Sequence, residues 1–477
     1  MKYDLVVIGG GSAGYSAAMT AADKFNKKVC IIEKGPFGGL CILKGCMPSK
    51  TLLWSARISE LIKKSGEFGI NVSGKVNYDL PKIINRKNKI IKGFADYRYE
   101  AVKKNKNIDL VEGTAEFISK DKVRVNNKII EGNNFLISTG SKVFVPNVPG
   151  INDIKYITSD DALELKKMPK SIAVLGGGPV TLEMAYYFFN MGVNVIIIQR
   201  SEHVMSENDP DLAEVVEDSF RKKGIRIYTG TTLEKFSKLG NKKKIEFLHG
   251  DRKMSVIVDE ILAGFGRVPN LDNLGLEKTG MKLNEKGIPK LNEYMQTSLK
   301  NIYVAGDSND ILKVVNVAVE QGRVVAENIF GKKEKIDYSK FPAAIFTHPE
   351  VAWVGISEKE AVDKKLDVEI GKLSYEDLGK AACYGETEGF IKFIADKKSK
   401  KILGVTIAGH QASDIIHEGV ALIYNKNTLN DLAKMHHIHP TFGEIYSYLV
   451  DEMLEPKKKV SKEIKDASKS KFVCIGC

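Results

Sequence analysis

Cysteine is scarce in this chain, with six in 477 residues. That is too few for a disulfide scaffold, so cysteines lying close together are read as redox or metal groups. Proline is sparse as well, 14 against 42 Gly, which excludes a collagen-like or low-complexity chain. No stretch approaches the eighteen or so uncharged apolar residues that span a bilayer, and Met1 to Leu5 runs into an apolar strand without a signal-peptide layout. A soluble, cytoplasmic protein with no membrane partner is expected. An aromatic-basic stripe is also missing: the segment 456–477, with seven Lys against two acids, supplies +5 of the formal charge of +12. The remaining excess is spread along the chain, so nucleic acid is not an expected partner.

What is present is length for about three domains and enough apolar residues, 43%, to give them cores. Tyr3 to Ile8 reads as a buried parallel strand, followed by Gly9-Gly10-Gly11-Ser12-Ala13-Gly14 and an Ala-rich helical run to Ala22. A second strand, Val29 to Ile32, ends at Glu33. This is a dinucleotide fingerprint: Gly9 makes the turn, Gly11 admits a pyrophosphate, Gly14 lets helix and strand pack, and Glu33 can hold a ribose hydroxyl. The pattern recurs 167 residues later, with strand Ser171 to Leu175, turn Gly176-Gly177-Gly178-Pro179-Val180-Thr181, helix Leu182 to Met191 and strand Val193 to Ile198. Thr181 in the third glycine position is expected to hold helix and strand farther apart. Asn301 to Asp307 is another apolar strand, and from Phe341 a third texture begins, strands and helices without a glycine fingerprint.

Between the two fingerprints lies Gly38-Gly39-Leu40-Cys41-Ile42-Leu43-Lys44-Gly45-Cys46-Met47-Pro48-Ser49-Lys50. Positions five apart in an ideal helix are separated by about 7.5 Å along the axis, beyond the usual disulfide span. Cys41 and Cys46 can pair only if the first turn is distorted, which Gly45 makes easy. A strained bond at a helix start is readily reduced, and the helix N-terminus favours the thiolate formed. The bland alternative is two buried, unlinked thiols.

The run from Gly38 to Lys50 resembles the redox-active motif of the flavoprotein pyridine nucleotide-disulfide reductases, the group that includes dihydrolipoamide dehydrogenase, glutathione reductase, high-molecular-weight thioredoxin reductase and mercuric reductase. The likeness covers about residues 1 to 455. It implies an α/β protein with two Rossmann-like domains: 1–145 with 271–340 for FAD and 146–270 for NAD(P). An α+β dimerisation domain over 341–455 follows, then a flexible Lys-rich tail over 456–477. FAD would be held by Gly9, Gly11, Gly14, Glu33, Lys50, Thr139, Gly140 and Asp307, with Ser138-Thr139-Gly140 closing a crossing between domains. Gly176, Gly178, Gln199 and Arg200 would hold the nicotinamide nucleotide. Cys46 would be the charge-transfer thiolate against the flavin, Cys41 the interchange thiol, and Lys50 and Glu183 an ion pair beside the ring; a plain surface ion pair is the competing reading of those two.

His436-His437-Ile438-His439-Pro440-Thr441-Phe442-Gly443-Glu444 supplies what thiol exchange needs, an imidazole to move protons near neutral pH and a carboxylate to orient it. By the resemblance, His439 with Glu444 acts on the disulfide of the other subunit of a homodimer, His436 and His437 are helix-end residues, and His348 in Thr347-His348-Pro349-Glu350 is structural. A zinc site from His436, His437 and His439 competes, although the spacing fits no common zinc pattern.

At the end of the second nucleotide strand, Gln199-Arg200 stands where an NAD site has an acid, so Arg200 can pair with a 2′-phosphate and NADP(H) is favoured over NAD(H). Ser206 replaces the second arginine typical of glutathione reductase. The chain closes on Cys474-Ile475-Gly476-Cys477, read as an electron relay or soft-metal trap, with a prenylation-like box or idle thiols as rivals. Motifs are closest to dihydrolipoamide dehydrogenase, with a lipoyl, thioredoxin-like or small disulfide or dithiol substrate. An NADPH-dependent mercuric or thioredoxin reductase using the terminal cysteines is the alternative, and a flavin-bound redox sensor the non-enzymatic one.

Overall fold

Strand Lys2–Ile8 alternates, with Leu5 and Val7 buried on one face and Val6 and Ile8 on the other. Both faces are apolar because both are covered, as in a parallel α/β sheet. In a computed structural model, which describes residues 2–455, this strand is central to a seven-stranded sheet. Val29–Glu33 and then Ile108–Glu112 lie parallel on one side, Lys128–Ile137 lies parallel on the other, and Ile302–Val304 pairs with Lys128–Ile137. Helix Ser12–Met19 presents Ala13, Ala17 and Ala18 to the sheet, and small side chains let it lie close. A Cβ on Gly14 would stand 2.0 Å from the Gly9 carbonyl oxygen, so only glycine permits that packing. The helix continues through a wide turn, Thr20–Lys24, just past the expected end at Ala22.

The second unit repeats the plan with four parallel strands in the order Arg226–Tyr228, Asn194–Ile198, Ser171–Leu175, Glu260–Ala263. Its helix, Pro179–Asn190, begins three residues before the expected Leu182, because Pro179 is preset for the first helical position. Room for the methyl group of Thr181 comes from Gly264, where a Cβ would lie 1.9 Å from Thr181 Cγ2.

The third unit is a five-stranded antiparallel sheet, Ala343–Ile345, Glu350–Gly355, Ile402–Gly409, Phe390–Asp396 and Val368–Ser374, covered by helices Ala412–Tyr424 and Ile445–Leu454. The fold is therefore mixed α/β with two Rossmann-type units and a C-terminal α+β unit. Among the described residues no helix is long and apolar enough to cross a membrane. Cys474 and Cys477, with the rest of 456–477, lie outside the described residues.

One helix joins the units. Cys46–Lys64 sends Leu52, Leu53 and Ala56 into the same core as Met184, Tyr187 and Phe188 of helix Pro179–Asn190. Tyr186 donates to Glu60 at 2.8 Å, and Ser59 and Lys63 donate to the Asn190 carbonyl at 2.8 and 2.9 Å. This docking fixes where the N-terminus of the cysteine helix points.

Candidate active site

Cys41 lies on the short helix Gly39–Leu43, the chain turns at Lys44 and Gly45, and Cys46 opens the nineteen-residue helix Cys46–Lys64. The distortion expected of the first turn is thus a break between two helices. Both residues are thiols here. Contact with the Cys41 thiol, helped by the charge of Lys50 and opposed by burial, lowers Cys46 below the ordinary thiol range. Contact with Cys46, together with burial, raises Cys41 above it. The charge of Lys50 and the start of the long helix both favour negative charge on Cys46. Cys30, buried in strand Val29–Glu33, contrasts: burial pushes it to about 12, and it is inert.

Replacing Cys41 by Ala removes that partner, so the neutral Cys46 thiol gains relative to its thiolate. The pH midpoint for thiolate absorbance of the reduced chain is expected to rise toward the ordinary thiol value of about 8.5. An unchanged midpoint would assign the stabilisation to Lys50 and the helix start instead.

One turn beyond Cys46, Lys50 Nζ donates to both carboxylate oxygens of Glu183 at 2.8 Å. Glu183 is 5% exposed, so the surface reading of this pair fails. The third unit completes it: the backbone N–H of Phe346 donates to Glu183 at 3.2 Å, and Lys50 Nζ stands 4.5 Å from the centre of the Phe346 ring. Phe346 carries no motif, so the sequence offered no sign of this role.

Cys41, Cys46, Lys50 and Glu183 line a continuous cavity of about 2120 Å³ that also takes in Gly11 and Asp307 on one side and Gly178, Gln199 and Arg200 on the other. A pocket for one ordinary small molecule is about 300–1,000 Å³, so there is room for two dinucleotides end to end. The residues fit FAD. Glu33 accepts from the backbone N–H groups of Gly10 at 2.8 Å and Gly35 at 3.1 Å, which fixes its carboxylate at the strand end. Gly39 lies so close to Gly11 that a Cβ on it would be 2.4 Å from the Gly11 Cα, leaving a bare backbone cradle. Thr139 Oγ1 is buried without a hydrogen-bond partner among the described residues, between Ser138 and Gly140 of the cavity wall, although Thr139 itself does not line the cavity. Asp307 is oriented by Ser141, which donates to it at 2.6 Å, and Arg267 Nε donates to Ser141 at 2.9 Å across the crossing strands Ser141–Val143 and Arg267–Pro269. Gly140 lines the same cavity, Gly176 makes the second turn at φ +113°, and Ser206 stands at the cavity wall.

His439 sits elsewhere. Its Nδ1 is 2.8 Å from Glu444, which also accepts from the Thr441 N–H at 2.7 Å, and its side chain is 51% exposed. Among the described residues lining the cavity, His439 is missing. His436 and His437 are not at a helix end: both lie in the loop beyond helix Leu429–Leu432. Both ring nitrogens of His437 are engaged, with Glu418 at 2.9 Å and Ser447 at 2.5 Å, which ties this loop to two helices and removes His437 from any zinc set with His436 and His439. His348 is buried, with Nε2 2.8 Å from Glu386.

Residues 3–322 match the family described as pyridine nucleotide-disulphide oxidoreductase, and 341–449 match its dimerisation domain. Mercuric reductase from Staphylococcus aureus is 34% identical over 431 residues, 90% of this chain and 78% of that protein. Dihydrolipoyl dehydrogenase from Chlamydia muridarum is 34% identical over 450 residues, 93% of this chain and 95% of that one. Among solved structures, the HOCl-induced flavoprotein disulfide reductase RclA from Escherichia coli superposes with a TM-score of 0.84 at 27% identity, over 94% of this chain and 99% of that one.

Proposed function

The chain belongs to the pyridine nucleotide-disulphide oxidoreductase family, and from that premise we propose that it is an NADPH-dependent flavoenzyme of the cytoplasm that reduces an external disulfide through Cys41 and Cys46. The observation that carries this reading is the pair Cys41 and Cys46, with Cys46 opening the long helix one turn before Lys50, lining the cavity between the two dinucleotide turns. FAD, held by the Gly9 to Gly14 turn, Glu33, Thr139, Gly140 and Asp307, would supply two-electron transfer between the nicotinamide and the thiol pair when bound.

The rest is done by side chains. His439 of the partner subunit takes the proton from Cys41, and the Cys41 thiolate attacks the substrate disulfide. One substrate thiolate leaves and takes that proton back from the imidazolium, while Cys41 is left in a mixed disulfide. The Cys46 thiolate then attacks the Cys41 sulfur, expels the second substrate thiolate and closes the Cys41–Cys46 disulfide, so two electrons have passed to the substrate. Glu444 holds Nδ1 of His439 and leaves Nε2 for the reacting sulfur. Lys50, tied to Glu183, keeps a positive charge beside Cys46. Reversed, the same steps oxidise a dithiol such as dihydrolipoamide.

The His439–Glu444 pair supports disulfide exchange over reduction of a bare metal ion, which needs no proton on a leaving sulfur, and over a sensor, which needs no proton relay. Side-by-side turnover with dihydrolipoamide, glutathione disulfide, a thioredoxin and mercuric ion, each with NADH and NADPH, tests it. Turnover of a disulfide with NADPH is expected; consumption of mercuric ion alone, or none of the four, would overturn it.

Support for NADPH comes from Arg200, exposed at the cavity wall with Gln199 in place of an acid. A charge-assisted bond contributes about 1.5–3 kcal/mol, so Arg200→Glu, which also adds repulsion, is expected to shift the NADPH to NADH ratio of kcat/KM by about a hundredfold toward NADH. An unmodified chain that already prefers NADH would remove the assignment.

A further inference from the structure

Away from the cavity, the third unit brings together the ends of three of its elements. Strands Glu350–Gly355 and Ile402–Gly409 pair with Glu350 opposite Gly409, which sets His410 beside the His348-Pro349 corner. Glu386, just past helix Gly379–Tyr384, reaches the same point. One ligand atom from each of His348, Glu386 and His410 lies within 4.8 Å of the other two, and the imidazoles meet edge to face at 5.9 Å.

We propose that His348, Glu386 and His410 form a site for one divalent transition-metal ion of the zinc class. Two imidazoles and one carboxylate are a donor set that suits zinc, with a fourth position left open. The carboxylate is already divided between two tasks. One oxygen of Glu386 faces His348 Nε2 at 2.8 Å, and the other accepts from Arg57 at 2.5 Å, the outer partner that orients a ligating carboxylate. Beside them Glu60, 4% exposed, has one oxygen with no hydrogen bond; its contact is the ion pair with Lys223 at 3.2 Å. At zinc bond lengths tetrahedral ligand atoms stand about 3.3 Å apart. The His348–Glu386 contact would open by roughly half an ångström and the longer separations would close by an ångström or so.

A second acidic cluster shows the contrast. Asp209, Asp211 and Glu358 also converge, but Lys392 Nζ already sits among them at 2.9, 2.9 and 2.6 Å and supplies the cation. At the His348 site the cations stand on other atoms: Arg57 on the far oxygen of Glu386, and Lys223 on Glu60 and on the backbone carbonyl of His348. An ion there would clamp three element ends and, through Arg57 and Glu60, brace the helix that begins at Cys46.

The test is Co(II) titration of the full chain after chelator treatment, with Zn(II) as competitor. One Co(II) per chain with visible d–d absorption and no near-ultraviolet thiolate-to-cobalt band is expected at this site. A chain with Cys41, Cys46, Cys474 and Cys477 replaced by Ser should retain that spectrum, and H410A and H348A in that background should weaken binding at least a hundredfold. Binding that survives both His variants, a spectrum carried entirely by thiolate ligation, or no cobalt bound by the four-Ser chain would overturn the site; the last two need no His variant to fold.

Discussion

Replacing His439 by Ala is expected to lower turnover of a disulfide substrate by about 10²- to 10⁴-fold, the usual scale of a lost general acid-base group, and mixing that variant with Cys41→Ser is expected to restore part of it. Each variant homodimer has two defective sites. In a heterodimer whose sites draw the thiol pair from one chain and the imidazole from the other, one site of the two is complete. Random assortment makes half the dimers mixed, so about a quarter of the unmodified activity returns. If each chain used its own His439, no mixed dimer would contain a complete site and the mixture would stay inactive. The geometry favours the shared arrangement: His439 is half exposed, is held by Glu444, and is missing from the described residues that line the cavity beside Cys41. Residues 341–449, which carry it, match a dimerisation domain. Co-expression with two different tags isolates the mixed dimer, and a silent mixed dimer would sink the shared site.

The parts of this protein that were legible in the sequence are those whose physics is local. A buried parallel strand followed by a glycine turn and an alanine-rich helix announces itself within about thirty residues, and both such units fold as expected, down to Glu33 at a strand end. The resemblance carried Lys50 to Glu183 across 133 positions, and they meet. What stayed hidden depends on encounters between segments far apart in the chain. Nothing near Thr181 says that Gly264 will make room for its methyl group. Nothing near Phe346 says that its N–H will complete the Lys50 pair. His437 reads as an ordinary neighbour of a motif until Glu418 and Ser447 arrive from two other helices. The break at Lys44 and Gly45 was visible as a glycine but not as two separate helices, because five residues carry too little periodicity to distinguish one distorted helix from two.

The two thiols are expected to fail differently when each is replaced by Ser in the FAD-loaded chain. Either change removes disulfide exchange, with a loss on the order of 10⁴-fold or more, since a hydroxyl cannot replace a thiolate nucleophile and the pair acts as a unit. The separation lies in absorbance. Lys50 and the helix start favour negative charge on Cys46, so Cys46→Ser is expected to abolish the long-wavelength thiolate-to-flavin charge-transfer band. Cys41→Ser leaves that thiolate in place. A serine hydroxyl can still donate to it, Lys50 and the helix start are untouched, and the band should persist near neutral pH and fade as pH falls below the Cys46 midpoint, because protonation removes the charge. The order follows from which sulfur begins the long helix. Cys46 opens a nineteen-residue helix with Lys50 one turn behind it, whereas Cys41 sits in a five-residue helix and is pushed above the ordinary thiol range. A band lost with Cys41→Ser and kept with Cys46→Ser would exchange the two roles and require the substrate to approach from the Lys50 side.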